Sequence, residues 1–343
     1  MSACSCLGVD VHAHVVPREF PAYLGASAAP AGWPSMVPGQ DCQHRNVMID
    51  GKNYRTVTDK SWTTSRRLAD FEEMGLAVQA ISPMPELLSY WMPTSAAAQL
   101  VRYLNEQIAG MVAESAGGLV GLGAVPLQDM DLAICELSYI KTSLGLKGVE
   151  IGSNINGVVM GDVRWFPFFE ACAALDLSVF VHALRPAGMD RLVGPPPLQQ
   201  VLAYPTDVGL AAASVLTGNL MSRVPCLRLA FSHGGGTLAM LLPRLQQAIS
   251  VFPSLKDSVR RSPLEQAREL YYDTLVFDTP TLQHLVRTFG ASQLMVGTDY
   301  PFNFHDARPL ERCRAADFDD AVMDQLTHTN ARRFLGLTKG TLP

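Results

Sequence analysis

Short, nearly continuous apolar runs rich in β-branched residues recur along the chain. They fall at Leu7–Val11, Ala77–Ile81, Leu119–Val125, Gly148–Ile151, Ser178–His182, Leu227–Ser232, Leu270–Thr274 and Gln293–Thr298. They lack polar–apolar alternation, as strands do when both faces are covered. Between them lie longer segments with apolar residues every three or four positions. Ser95–Ala116, carrying Leu100, Leu104, Ile108 and Met111, is the clearest, and Leu127–Leu144, Trp165–Leu175, Leu238–Val251, Pro280–Phe289 and Asp317–Gly336 behave alike. This spacing predicts helices with one buried face. Pro167 falls in the first turn of its segment, where a missing N–H costs little.

Eight strands alternating with helices predict an α/β chain folded as a (β/α)8 TIM barrel, a single unit spanning residues 1–343. An open doubly wound sheet would carry a glycine fingerprint after its first strand, and Asp10-Val11-His12-Ala13-His14 is not one. Two segments break the alternation. Residues 17 to about 64, rich in Gly, Pro, Asn and Asp, exceed an ordinary loop and read as an ordered insertion over the barrel mouth. Arg185–Pro205, containing Pro195-Pro196-Pro197, follows strand 5 and is expected at the same end.

Composition narrows the partners. Of 343 residues 48% are hydrophobic and 17% charged, which excludes a disordered chain. Lys and Arg number 27 against 32 Asp and Glu, a net charge of −5 with no basic stripe, so no nucleic-acid partner is expected. No apolar run of about 18 residues predicts a membrane span, and the N-terminus has no secretory pattern. Seven cysteines form an odd set and point to a reducing, cytoplasmic setting; Cys135 and Cys172 read as core, and the Cys4-x-Cys6 pair as incidental.

The polar residues at strand ends carry the chemistry, because a barrel of this kind builds its site at the C-terminal face. Strand 1 ends in His12-Ala13-His14, whose imidazoles share one side of an extended segment. Strand 5 ends in His182, strand 6 runs into His233 and strand 8 into Asp299. Any one of these alone is an ordinary rim residue, and Asp299 alone reads as a cap on the turn at Tyr300-Pro301. Their joint placement is the signal, since four of the eight histidines in the chain end barrel strands. Three neutral imidazoles and a carboxylate suit Zn2+, with Mn2+ the second choice. His12, His14, His182 and Asp299 are therefore expected to hold the metal, with Asp299 also catalytic, and His233 to serve as general acid and base. His44, His284, His305 and His328 read as surface residues. Gly234-Gly235-Gly236 is either an anion cradle or a plain strand-to-helix turn.

These residues resemble the metal-dependent amidohydrolase superfamily, in the branch containing 2-amino-3-carboxymuconate-6-semialdehyde decarboxylase. The resemblance runs through Asp10–His14, Gly51-Lys52-Asn53-Tyr54-Arg55, Val125–Asp129, Val181-His182, Phe231–Gly236, Leu241-Leu242-Pro243-Arg244, Gly297–Phe302 and Asn330–Phe334. It implies zinc on His12, His14, His182 and Asp299, and His233 as proton carrier. It further implies that Arg55 grips a substrate carboxylate, and that Arg244 does so from the neighbouring subunit of a homodimer. Phe302 is expected as an aromatic wall. The stretch after His182 departs from the family, with Ala183-Leu184-Arg185-Pro186 in place of Pro-Trp, which makes Arg185 an extra anion contact or a solvated charge. Trp91 and Trp62 are candidates to replace the missing ring.

The activity implied is zinc-dependent, non-oxidative decarboxylation of a small unsaturated carboxylic acid, such as an aminocarboxymuconate-semialdehyde-like ring-cleavage product. The alternatives are a resorcylate-type hydroxybenzoate decarboxylase, or a metal-dependent hydrolase, hydratase or deaminase on the same barrel. A catalytically silent ligand-binding barrel is the alternative outside enzymes.

Overall fold

The computed structural model describes residues 7–26 and 28–337, so the Cys4-x-Cys6 pair lies outside the described residues. Eight parallel strands follow one another around a single sheet: β1 (Gly8–Val15), β2 (Leu76–Pro83), β3 (Leu119–Gly123), β4 (Gly148–Gly152), β5 (Ser178–His182), β6 (Leu229–Phe231), β7 (Tyr271–Asp273) and β8 (Leu294–Met295). Hydrogen bonds from the segment after β8 close the ring onto β1. Val11 N donates to Val296 O at 2.9 Å, Asp299 N to His12 O at 2.8 Å, and His14 N to Tyr300 O at 2.7 Å. The fold is the expected TIM barrel.

Every strand is buried on both sides, which explains the apolar continuity of the sequence. Along β1, Asp10, His12 and His14 are fully buried between Val9, Val11, Ala13 and Val15. The β1–β2 register slips between Asp10 and Ala13, a bulge at the strand that carries the His-x-His pair. His182 lies two residues beyond Phe180 on one face of β5, and the Phe180 ring packs 5.0 Å from that of His12.

The expected helices sit where the spacing places them, joined by several short ones and by two longer ones of 11 and 14 residues. Thr64–Met74 is a helix although only Leu68, Ala69, Phe71 and Met74 are apolar; its buried line runs Thr64, Arg67, Phe71 and Met74. Tyr204–Thr217 is a helix that follows directly on a π turn at Gln199–Ala203, with Pro205 at its second position instead of ending a loop. The expected C-terminal helix begins later, as Asp320–Asp324, Gln325–Thr329 and Asn330–Leu335 run on through a π turn, preceded by a separate helix at Pro309–Ala315. Cys135 is a correction. It is exposed because Ala133, Leu137 and Ile140 form the buried stripe of the helix Met130–Thr142.

Within the insertion, Ser35–Pro38, His44–Ile49 and Lys52–Thr58 form a three-stranded antiparallel sheet. Val47 and Val57 bury with Met84, Leu87, Leu100, Leu104 and Phe302, so its apolar face rests on the barrel's C-terminal end. Among the described residues no helix is long and apolar enough to cross a membrane.

Candidate active site

The strand ends converge as expected at the C-terminal face. His12 Nε2 lies 3.2 Å from His14 Nε2, and Asp299 Oδ1 lies 3.0 Å from His14 Nε2 and 3.5 Å from His12 Nε2. His182 packs its ring 5.0 Å from His12 and 4.9 Å from His14. His233 stands 5.0 Å from His182 and 5.4 Å from His12. Ligand atoms of His12, His182, His233 and Asp299 all lie within 4.8 Å of one another. Geometry alone therefore lets His233 join the ligand set as well as serve beside it.

The outer nitrogens fix the tautomers. His12 Nδ1 is 2.7 Å from Asp273 Oδ2, His14 Nδ1 is 3.2 Å from Pro83 O, and His182 Nδ1 is 2.8 Å from Ala183 O. Carboxylate and carbonyl oxygens only accept, so each Nδ1 carries the proton and each Nε2 turns a lone pair inward. Lone pairs 3.2 Å apart repel, and His182 Nε2 and Asp299 Oδ1 are buried without a hydrogen-bond partner among the described residues. An inward cluster of lone pairs and one carboxylate oxygen is costly alone and satisfied by a divalent cation. The residues fit such an ion. Burial pushes His12, His14 and His233 down to about 3 and His182 well below the ordinary imidazole value, which keeps all four neutral.

Asp273, at the end of β7, was missed by the sequence reading and organises the site. Besides His12 it accepts from the backbone N–H of His233 at 3.0 Å, of Gly234 at 2.8 Å and of Leu275 at 3.0 Å. The rule that singled out Asp299, a carboxylate ending an apolar strand, points equally to Asp273. Gly297 leaves room for it, since a Cβ there would come within 2.6 Å of Asp273 Cβ and 3.0 Å of His12 Cβ. Below the histidines a buried chain links Arg67, Gln79, Asp10 and Thr298. Arg67 donates to Gln79 Oε1 at 2.7 Å and to His14 O at 3.0 Å; Gln79 and Thr298 donate to Asp10 Oδ2 at 2.8 and 2.6 Å. Glu150 on β4 accepts from Ser82 Oγ at 2.6 Å and lies 3.6 Å from His14 Nδ1; burial raises its pKa well above the carboxylate range.

The triple glycine is a turn. Gly234 N bonds Asp273, Gly235 N bonds Ser232 O and Gly236 N bonds His233 O, so no N–H there is left for an anion. His233 and Asp299 themselves sit at positive φ, +54° and +65°, a strained backbone that aims both side chains inward.

A cavity of about 300 Å3 opens above the cluster, reaching His182, His233 and Asp299. Arg55, from the insertion strand, lines it with its guanidinium 4.1 Å from the Phe302 ring, and Phe302 stacks 5.1 Å from His14. Arg55 forms no ion pair among the described residues. Tyr54, Tyr204, Phe277 and Phe304 supply further rings, so the missing tryptophan is replaced by residues that had not been singled out. Trp91 and Trp62 do not line the cavity. Nor does Arg185, which is bound to Glu86 at 2.8 Å and stacked on Trp91. Arg244 is exposed on the helix Leu238–Val251, away from this chain's own cavity. The remaining histidines, expected at the surface, are half-buried: His44 bonds Asp41, His305 bonds Phe302 O and His328 bonds Leu7 O, while His284 Nε2 is buried without a hydrogen-bond partner among the described residues.

Comparison with known proteins places these features in a family. A family model described as amidohydrolase matches residues 9–337. The chain is 32% identical to 2-amino-3-carboxymuconate-6-semialdehyde decarboxylase of Dictyostelium discoideum, over 96% of this chain and 92% of that one. The apo crystal structure of Metarhizium anisopliae IDCase superposes with a TM-score of 0.82 at 21% identity, covering 98% of this chain and 99% of that one. A dihydroxybenzoic acid decarboxylase from Polaromonas sp. JS666, solved with bound manganese and the inhibitor 2-nitroresorcinol, superposes with a TM-score of 0.76 at 19% identity, covering 96% and 97%.

Proposed function

This chain belongs to the amidohydrolase family, in the branch of the aminocarboxymuconate-semialdehyde decarboxylases, and from that premise we propose that it is a divalent-metal-dependent, non-oxidative decarboxylase of a small unsaturated or aromatic carboxylic acid. The observation that carries this reading is the convergence of inward-facing Nε2 lone pairs and the unpartnered Asp299 Oδ1 beneath a cavity holding an unpaired arginine. His12, His14, His182 and Asp299 hold the ion, and zinc is the metal we favour for three imidazoles and one carboxylate. Manganese in the Polaromonas enzyme makes it the alternative. When bound, the ion supplies concentrated positive charge and Lewis acidity toward a substrate oxygen.

The chain's own groups do the rest. Arg55 pairs with a substrate carboxylate, and the rings of Phe302, Tyr54 and Tyr204 exclude water around it. Burial keeps His233 neutral at rest, so it begins as a proton acceptor through Nε2, its Nδ1 lying 3.1 Å from Ser232 Oγ. The Asp273 and Asp299 carboxylates favour the imidazolium once formed. The bond between the substrate carbon and its carboxylate breaks, carbon dioxide leaves without the bonding pair, and that pair takes a proton that His233 has drawn from solvent. One proton is consumed for each carbon dioxide released.

The substrate we favour is a ring-cleavage product like aminocarboxymuconate semialdehyde, supported by the 32% relative; a hydroxybenzoate is the second reading, supported by the aromatic lining of the cavity. We place residues 1–343 in one catalytic unit with the insertion as its cover. We also infer a homodimer in which the exposed Arg244 reaches the neighbouring site. The free thiols of Cys42, Cys135, Cys172, Cys226 and Cys313 support a cytoplasmic setting. The test is an assay of metal-analysed enzyme on ring-cleavage semialdehydes and hydroxybenzoates, with products read by mass. Loss of carbon dioxide is the expected result; addition of water without that loss overturns the reading in favour of a hydrolase or hydratase.

A further inference from the structure

The cavity holds one charged group that the chemistry above leaves unused. Glu86, on the turn Pro85–Leu88 after β2, lines the cavity beside Tyr54 and Tyr204. Its partner Arg185 approaches from outside the lining and rests on the Trp91 face. The pairing is one-sided. Arg185 Nη2 donates to Oε1 at 2.8 Å, and the other side-chain donor at the carboxylate is the Tyr54 hydroxyl, itself part of the cavity lining. A purely structural pair in this same protein looks different, because Arg102 grips both oxygens of Glu136, at 2.6 to 3.1 Å. Glu86 is thus a carboxylate anchored by Arg185, with the Tyr54 hydroxyl beside it in the cavity wall, and two donors leave a carboxylate acceptor capacity for a ligand. Arg55, also in the lining, is the free cation there; Arg185 is neutralised by Glu86.

We propose that Glu86, clamped by Arg185, selects the substrate by accepting a hydrogen bond from a hydroxyl or amino substituent, and turns away congeners that place a second carboxylate at that point. The proposal rests on the decarboxylase reading of the site and names its substrate class: a hydroxy- or amino-substituted acid whose reacting carboxylate is taken by Arg55. An ionised carboxyl only accepts, so it rewards a donor and repels an anion in the same place. A site built to bond a hydroxyl discriminates strongly against an analogue that lacks it, because its own acceptor is then stranded.

The experiment is calorimetric binding to the metal-loaded enzyme, using benzoates that carry a hydroxyl, amino, methoxy or carboxylate group at matched ring positions. At one ring position the hydroxyl or amino congener is expected to bind about tenfold or more tighter than the methoxy one, and the dicarboxylate weakest of all. Glu86→Gln removes the repulsion and frees Arg185, so dicarboxylate affinity rises at least about tenfold and the preference for hydroxyl over methoxy shrinks. Arg185→Gln acts in the opposite direction, since it strips the compensating charge and leaves the carboxylate in place; dicarboxylate affinity falls further. Equal affinity of all congeners, failure of the whole series to bind, or identical ratios in Glu86→Gln and wild type each overturn the proposal. Binding needs no turnover, so a flat series alongside carbon dioxide release sinks the selectivity role alone, and a graded series without carbon dioxide release sinks the decarboxylase reading alone.

Discussion

At the residue scale the site is defined by which nitrogen of each imidazole is engaged. Asp273 holds the His12 proton on Nδ1 and also ties down the His233 and Gly234 amides. Asp273→Asn keeps the shape and removes the charge, so metal affinity measured by competition with a chelator should fall about 10–100-fold; an unchanged affinity removes Asp273 from the support of the site. His233→Ala should retain the ion and lose most activity, and loss of stoichiometric metal in that variant makes His233 a ligand instead. His12, His14, His182, His233 and Asp299 were legible in the sequence because polar residues at the ends of apolar strands stand out. Arg67 was not, since a charged residue reads as surface until its donors are seen to reach His14 O, Lys60 O and Gln79. Arg185 was legible only as a charge; its neutralisation by Glu86, 99 positions away, is a tertiary fact.

At the scale of elements, the turn from β6 into the helix Leu238–Val251 leaves no tolerance. Gly236 has φ +58° and a Cβ there would stand 1.8 Å from Pro205 O and 2.8 Å from Gly209 N, both backbone atoms. Gly236→Ala should lower stability by about 1–3 kcal/mol or more, read as a shifted urea midpoint; an unshifted midpoint contradicts the packing described. All eight strands were legible from their apolar runs, which double-sided burial imposes. The helix Tyr204–Thr217 was hidden by Pro195-Pro196-Pro197 before it and by Pro205 at its second position, since a proline signals a stop as readily as a first turn. Thr64–Met74 was hidden by its charge and by the insertion it follows. The insertion's sheet was readable only as ordered chain, since its short strands alternate weakly and gain their apolar face by docking on Met84, Leu87 and Phe302.

At the scale of the molecule, stability and metal are linked. Imidazoles held neutral by burial, His12, His14 and His233 near 3 against 6.5 when unfolded, bind fewer protons in the native state than in the unfolded one. These imidazoles therefore favour the native state without metal above pH 6.5, a contribution lost as pH falls from 6.5 towards 3, whereas the carboxyls of Asp10, Glu150 and Asp273, pushed up by burial, act in the opposite sense. The histidine contribution is read as the difference between thermal melts of chelated wild type and chelated His12→Gln, which should change as pH falls from 6.5 towards 3; a difference that does not change with pH contradicts neutral burial, and a bound ion should raise the melting temperature of the wild type. For the proposed dimer, mixing inactive Arg244→Ala with inactive His233→Ala should recover partial activity, and no recovery from demonstrated hybrids rejects a shared site. The most direct test of the whole account is elemental analysis of the purified protein beside a His12→Ala, His14→Ala double variant. A tightly held zinc or manganese ion at one per chain is expected in the first and none in the second. A wild-type protein free of divalent metal, or a double variant that keeps its ion, contradicts it.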